Sequence, residues 1–160
     1  MKKLALTLFL VLGSLTIQAQ ELKWETDMNK AMAVSKKSKK PIMLFFTGSD
    51  WCGWCIRLQK EVLKTPEFAK WAKDNVVLVE LDFPRKSPQQ PEIQKQNMEL
   101  QQALGVRGYP TVWFVKATKN KNDGKVNLEQ IGSTGYVAGG PSAWLQGADQ
   151  ILANLKTKKT

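Results

Sequence analysis

The apolar run Ile42-Met43-Leu44-Phe45-Phe46 constrains this chain more than any other feature. Five consecutive apolar residues leave no solvent-facing side, so the run predicts a strand buried on both faces, in the middle of a sheet covered by helices. The loop Thr47-Gly48-Ser49-Asp50 follows it. A helix opening at Trp51-Cys52 is then expected to carry Ile56, Leu58, Val62 and Leu63 toward a core.

The other elements arrange themselves around that strand. Glu21 to Trp24 has the pattern of a short strand, and Thr26 is placed to cap a helix reaching about Lys37, with Met28, Ala31, Met32 and Val34 on one side. Thr65-Pro66-Glu67 reads as an N-cap followed by proline at the first helical position, opening a short helix through Trp71. Val76 to Phe83 is a second β-run, closed by Pro84. A helix from about Glu92 to Leu104 follows, with Ile93, Met98, Leu100, Ala103 and Leu104 apolar and Gly105 placed at its end. Thr111–Val115 and Val126–Ile131 flank the turn Asn122-Asp123-Gly124, which predicts a hairpin. A last helix, capped by Ser142 or entered at Pro141, runs through Trp144, Leu145, Ile151 and Leu155. This order of strands and helices predicts an α/β domain with a central mixed β-sheet flanked by helices.

Residues 1–19 read as a secretory signal peptide: Lys2 and Lys3 precede an apolar stretch, Leu4 to Ile17, that ends at Gln18-Ala19-Gln20. The stretch is about 14 residues long, and a helix spanning a bilayer needs about 20. Cleavage before Gln20 would leave residues 20–160 as one domain, exported, periplasmic rather than fully secreted, and with no stable membrane insertion. It also removes two lysines and no acid, so the net charge falls from +10 to +8. The lysines at 36–40, 119–125 and 156–159 have no interleaved aromatics, which reads as a solvated basic surface and not as a nucleic-acid site.

With two cysteines and no histidine in 160 residues, the chain cannot by itself build a four-ligand Cys/His zinc site, a C-x-x-C-H haem attachment or a Ser-His-Asp triad. Both cysteines lie in Trp51-Cys52-Gly53-Trp54-Cys55, where a buried strand passes through a loop into a helix. A thiol at a helix N-terminus meets unpaired N–H groups and the positive end of the helix dipole, which lower its pKa from about 8.5 into the range of about 3.5–7.5. Cys55, one turn inward, is placed to attack a mixed disulfide formed by Cys52, as thiol–disulfide exchange requires. A fixed structural disulfide is the plainer alternative, but so small a loop stabilises weakly. Half of a metal site shared between two chains is another. The redox chemistry needs no cofactor, and no metal is called for.

Through Lys40-Pro41-Ile42-Met43-Leu44-Phe45-Phe46, Trp51-Cys52-Gly53-Trp54-Cys55 and Gly108-Tyr109-Pro110-Thr111, the sequence resembles the thioredoxin-fold family from about Trp24 to Leu155. It is most similar to the exported thioredoxin-like thiol–disulfide oxidoreductases of bacteria. The resemblance implies a cis Tyr109–Pro110 bond facing the cysteines, with Trp51, Gly53, Trp54, Tyr109, Pro110 and Thr111 as substrate contacts. It implies protein thiols and disulfides as partners, together with an upstream redox partner such as a membrane thiol–disulfide interchange protein. Reduction or isomerisation of protein disulfides is expected ahead of net oxidation. A non-enzymatic binding or chaperone-like module of the same fold is the alternative.

Two positions depart from the family pattern. The buried aspartate commonly found six residues before the first cysteine is replaced by Phe46, and Gly53-Trp54 stands in place of Gly-Pro. Cys55 then lacks a carboxylate on its own neighbouring strand. Glu80, in the apolar stretch Val76–Leu81 that the family's layout sets beside that strand, is the candidate proton acceptor; the plainer alternative is that it points to solvent at a strand end or pairs with a nearby lysine.

Overall fold

The computed structural model describes residues 22–120, 122 and 124–157. The expected signal peptide and cleavage point, Glu21 of the expected first strand, Lys121 and Asp123 of the turn region and the lysines at 158 and 159 lie outside the described residues. In chain order the elements are β1 (Trp24–Glu25), α1 (Met28–Ser38), β2 (Ile42–Thr47), α2 (Gly53–Leu58), a π-helical segment (Gln59–Leu63), α3 (Pro66–Asn75), β3 (Val77–Asp82), α4 (Pro91–Ala103), β4 (Thr111–Lys119), β5 (Val126–Thr134) and α5 (Gly140–Thr157).

Among the described residues five strands form one mixed sheet in the order β1-β3-β2-β4-β5. β1 and β2 run parallel to β3, β4 runs antiparallel to β2, and β5 completes a hairpin with β4. All six residues of β2 are buried, as the unalternating run requires of a central strand. Its side chains divide by the period of two. Ile42, Leu44 and Phe46 pack in a layer with Ala31 of α1, Val79 and Leu81 of β3 and Leu100 of α4. Met43 and Phe45 pack in the opposite layer, with Cys52, Cys55 and Leu58 of the α2 region, Phe68 of α3 and Trp144 of α5.

Aromatic rings fill that second layer. Trp144 meets Phe68, Trp71 and Phe114 with ring centroids 5.8, 6.2 and 6.4 Å apart, and its indole N–H donates to the carbonyl of Gly135 at 3.0 Å. Burying the ring while pairing its one polar atom leaves α5 little freedom to slide along the sheet.

The structure corrects several expectations from the sequence. The cap of α1 is Asp27 and not Thr26: the Asp27 carboxylate accepts from the amides of Asn29 and Lys30, and the Thr26 carbonyl accepts from Gln96 of α4. Val34, Ile56 and Met98, expected on core-facing sides, are exposed. Their helices turn those positions outward, and on α4 the inward position goes to Asn97, whose amide donates to the Asp82 carbonyl at 3.0 Å. The first strand is Trp24–Glu25, and both hairpin strands run longer than expected, through a bulge between Phe114 and Val115.

Truncating the ring at the centre of the aromatic layer is the sharpest test of this packing. Trp144→Ala is expected to lower the unfolding free energy by about 3–5 kcal/mol, with a smaller loss for Trp144→Phe, measured by denaturant unfolding.

Candidate active site

Cys52 and Cys55 are joined by a disulfide, with Cα atoms 5.2 Å apart. Cys52 is the N-cap residue of α2, and its sulfur accepts from the backbone amide of Cys55 at 3.2 Å. Cys52 is 6% exposed and Cys55 is fully buried. The chain reaches them through a tight turn in which the Gly48 carbonyl accepts from the amides of Trp51 and Cys52.

Trp51 locks that turn. A Cβ on Gly48 would lie 2.4 Å from its indole, so the ring lies directly on glycine backbone. Its N–H donates to the Phe83 carbonyl at 2.8 Å, its edge meets Tyr109 at 5.8 Å, and the Arg85 guanidinium lies 3.7 Å from its ring centroid. The segment after β3 is fastened to the same turn. Asp50 accepts from the amides of Arg85 and Lys86, and these bonds hold its carboxyl below the usual aspartate range. Asp82 in turn accepts from the amide and hydroxyl of Ser49.

The remaining residues singled out from the sequence fall into separate contact groups, one around Tyr109 and one around Trp54. The Tyr109–Pro110 bond is cis. Tyr109 packs against Phe83 and donates its hydroxyl to Gln101 at 3.1 Å, and the Thr111 hydroxyl donates to the Gly108 carbonyl at 2.8 Å. Gly53 and Trp54 are exposed at the start of α2. Trp54 rests on Tyr136 with centroids 5.1 Å apart, and Arg57 lies 5.4 Å from the Trp54 ring and 5.1 Å from the Tyr136 ring. Glu61 completes the group, accepting from Arg57 at 2.7 Å and from the Tyr136 hydroxyl at 2.6 Å. The Glu61 carboxyl is held low by the Tyr136 and Arg57 hydrogen bonds. Sequence reasoning missed Tyr136, Arg57 and Glu61. The i,i+4 spacing of Arg57 and Glu61 was the available signal, and nothing local pointed to Tyr136.

Two findings bear on the missing aspartate. Counting six residues back from Cys52 leads to Phe46, yet Phe46 belongs to the layer on the far side of the sheet; its neighbour Phe45, with Met43, lies in the layer of the cysteines. Glu80 stands opposite Phe45 in the β2–β3 register. It is half-buried, in a pocket of about 180 Å³ lined by Trp24, Phe45, Gln59, Leu63 and Lys64. Burial raises its carboxyl pKa, Asp82 adds to the rise, and Lys64 opposes it. Among the described residues no cluster of three or more His, Cys, Asp or Glu side chains could hold a metal ion, and no helix is long and apolar enough to cross a membrane.

Comparison with known proteins agrees with this geometry. Residues 28–133 match the family model of a thioredoxin-like domain. The sequence is 40% identical over 122 residues to the disulfide bond reductase DsbH of Chlamydia pneumoniae, covering 76% of this chain and 72% of that protein. It is 31% identical over 143 residues to the thioredoxin-related protein DsbJ of the same organism, covering 86% of this chain and 39% of that protein. A solved structure of a DsbH oxidoreductase superposes with a TM-score of 0.72 at 35% identity, over 95% of this chain and 94% of that one.

The hydrogen bonds to Asp50 carry a pH dependence. A carboxyl held low in the fold contributes stability above its unfolded pKa, and loses it as pH falls through the folded value. In an acid titration followed by NMR, the amides of Arg85 and Lys86 should therefore shift together below the ordinary aspartate range, and Asp50→Asn should abolish that transition.

Proposed function

Because the chain belongs to the thioredoxin-like family and is a thiol–disulfide oxidoreductase, we propose that it works outside the cytoplasm, reducing or isomerising disulfides of protein substrates through Cys52 and Cys55. The observation that carries the assignment of roles is the amide hydrogen bond to the Cys52 sulfur at the N-cap of α2. A donor already aimed at that sulfur stabilises it as a thiolate, and so makes Cys52 the attacking group and the better leaving group. Cys55, fully buried, is the resolving group. Residues 1–19 act as the export signal and residues 20–160 form the single mature domain. A redox partner upstream, such as a membrane thiol–disulfide interchange protein, returns the disulfide to the dithiol.

The substrate lies across the disulfide between the two aromatic sides. Trp54 offers exposed apolar surface beside Gly53, and Pro110, which has no N–H, is flanked by Tyr109 and Thr111 on the other side. Trp51 contributes mainly by fixing the turn. Glu80 is the proton acceptor for Cys55: its raised pKa makes its carboxylate a stronger base than an ordinary glutamate.

Cysteine replacement tests the roles. Cys55→Ser should accumulate mixed disulfides with partner proteins and Cys52→Ser should accumulate few, while the parent protein reduces insulin disulfides. If the trapping pattern reverses, the roles are exchanged.

Glu80→Gln separates proton transfer from folding. A carboxyl whose pKa is raised in the fold contributes its stability below the unfolded pKa and loses it as pH rises through the folded value. The variant should accordingly be at least as stable as the parent at neutral pH, yet resolve the mixed disulfide more slowly while forming it at the parent's rate. Equal slowing of both steps would remove Glu80 from the mechanism.

A further inference from the structure

Thr47 ends β2 with its side chain fully buried, and its hydroxyl oxygen has no hydrogen-bond partner among the described residues. A buried hydroxyl left unpaired costs folding free energy, and such a group calls for an explanation in function or in another state of the protein. Its position supplies one. Met43 and Phe45 turn toward the layer that holds Cys52 and Cys55, and the period of two places Thr47 on that same side. It is the last residue on that side before the chain turns at Gly48 toward the cysteines. On β3 its in-register neighbour is Asp82, whose carboxylate is already engaged by Ser49. On β4 the pairing ends at Phe46–Thr111, next to Pro110.

The structure holds the disulfide form, whose sulfurs are weak acceptors. Reduction adds two electrons and two protons, breaks the S–S bond and gives two thiols. The thiolate derived from either thiol is a charged acceptor, and hydrogen bonds to charged groups are the strong ones. We propose that Thr47 is a positioning residue for Cys55, whose hydroxyl gains its missing partner when the disulfide opens by donating to the Cys55 sulfur. The inference rests on the oxidoreductase role of Cys52 and Cys55 given above.

In resolution, the Cys55 thiolate attacks the Cys52 sulfur of the mixed disulfide. The Cys52–Cys55 bond forms, the bond from Cys52 to the substrate sulfur breaks, and that sulfur leaves with the electron pair as a thiolate. The proton lost by Cys55 goes to the Glu80 carboxylate or to solvent. Thr47 keeps its own proton, steadies the attacking sulfur and lowers the cost of its charge in a layer otherwise lined by Phe45, Leu58 and Val112.

Thr47→Val preserves the shape of the side chain and deletes the hydroxyl, and Thr47→Ser keeps the hydroxyl. Equilibration with glutathione buffers at alkaline pH, where the reduced Cys55 is a thiolate, should show Thr47→Val shifted toward the disulfide by about tenfold, which for a two-electron couple makes the potential more negative by about 30 mV. Its disulfide form should melt no lower than the parent's. Resolution of a mixed disulfide should slow about tenfold with formation unchanged, and Thr47→Ser should restore parental behaviour. A parental potential in Thr47→Val, or equal loss of melting temperature in its disulfide and dithiol forms, would overturn the inference by showing a structural role alone. If the parent reduces no protein disulfide while Thr47→Val still shifts the glutathione equilibrium, the proposed function fails and the role of Thr47 stands.

Discussion

A strand with no side open to water has to be covered on both faces, and β2 is such a strand from Ile42 to Thr47. Its hydrogen-bonding edges are taken by β3 and β4, and its faces by α1 and α4 on one side and by the α2 region, α3 and α5 on the other. The cysteines stand one short turn beyond its end. Their position is therefore inherited from a strand buried along its whole length, and a site built on rigid elements holds its geometry better than one carried on a mobile loop.

The aromatic residues around the disulfide serve opposite purposes according to what lies behind them. Trp51 is enclosed by Gly48, Tyr109, the Phe83 carbonyl and Arg85, and together with Asp50 it fastens the segment after β3 to the active-site turn. Trp54 has Tyr136 and Arg57 beneath it and water above. Each indole is paired with a guanidinium, so both rings are held in place, one as a structural wedge and the other as an exposed platform.

The architecture was legible in the sequence because it rests on strong local signals: the unalternating run of β2, the Thr65-Pro66 cap of α3, and the strand–loop–helix setting of the cysteines. What escaped the sequence depends on contacts between distant segments. Asp27 and not Thr26 caps α1, its carboxylate reaching the amides of Asn29 and Lys30, while Gln96 on the distant α4 holds the Thr26 carbonyl. Ile56, Val34 and Met98 are apolar yet outward-facing, and composition alone does not say which apolar positions a helix turns to water. Counting back to Phe46 misses because a residue count carries no information about which face of a strand a side chain occupies. Phe45 shares the layer of the cysteines, and the unpaired hydroxyl of Thr47 two residues later is visible only once the layers are known.

The π-helical segment Gln59–Leu63 accommodates one more residue per turn than the α-helix it continues, with the Lys64 amide reaching back to the Gln59 carbonyl at 2.9 Å. Ahead of it Cys55 and Leu58 face the core; within it Val62 and Leu63 do, while Glu61 is left in line with Tyr136. The widened turn thus sets the phase of the helix's distal end against its redox end, letting each keep its own inward face. A reading frame for site residues taken from one side of Gln59 therefore loses its register on the other.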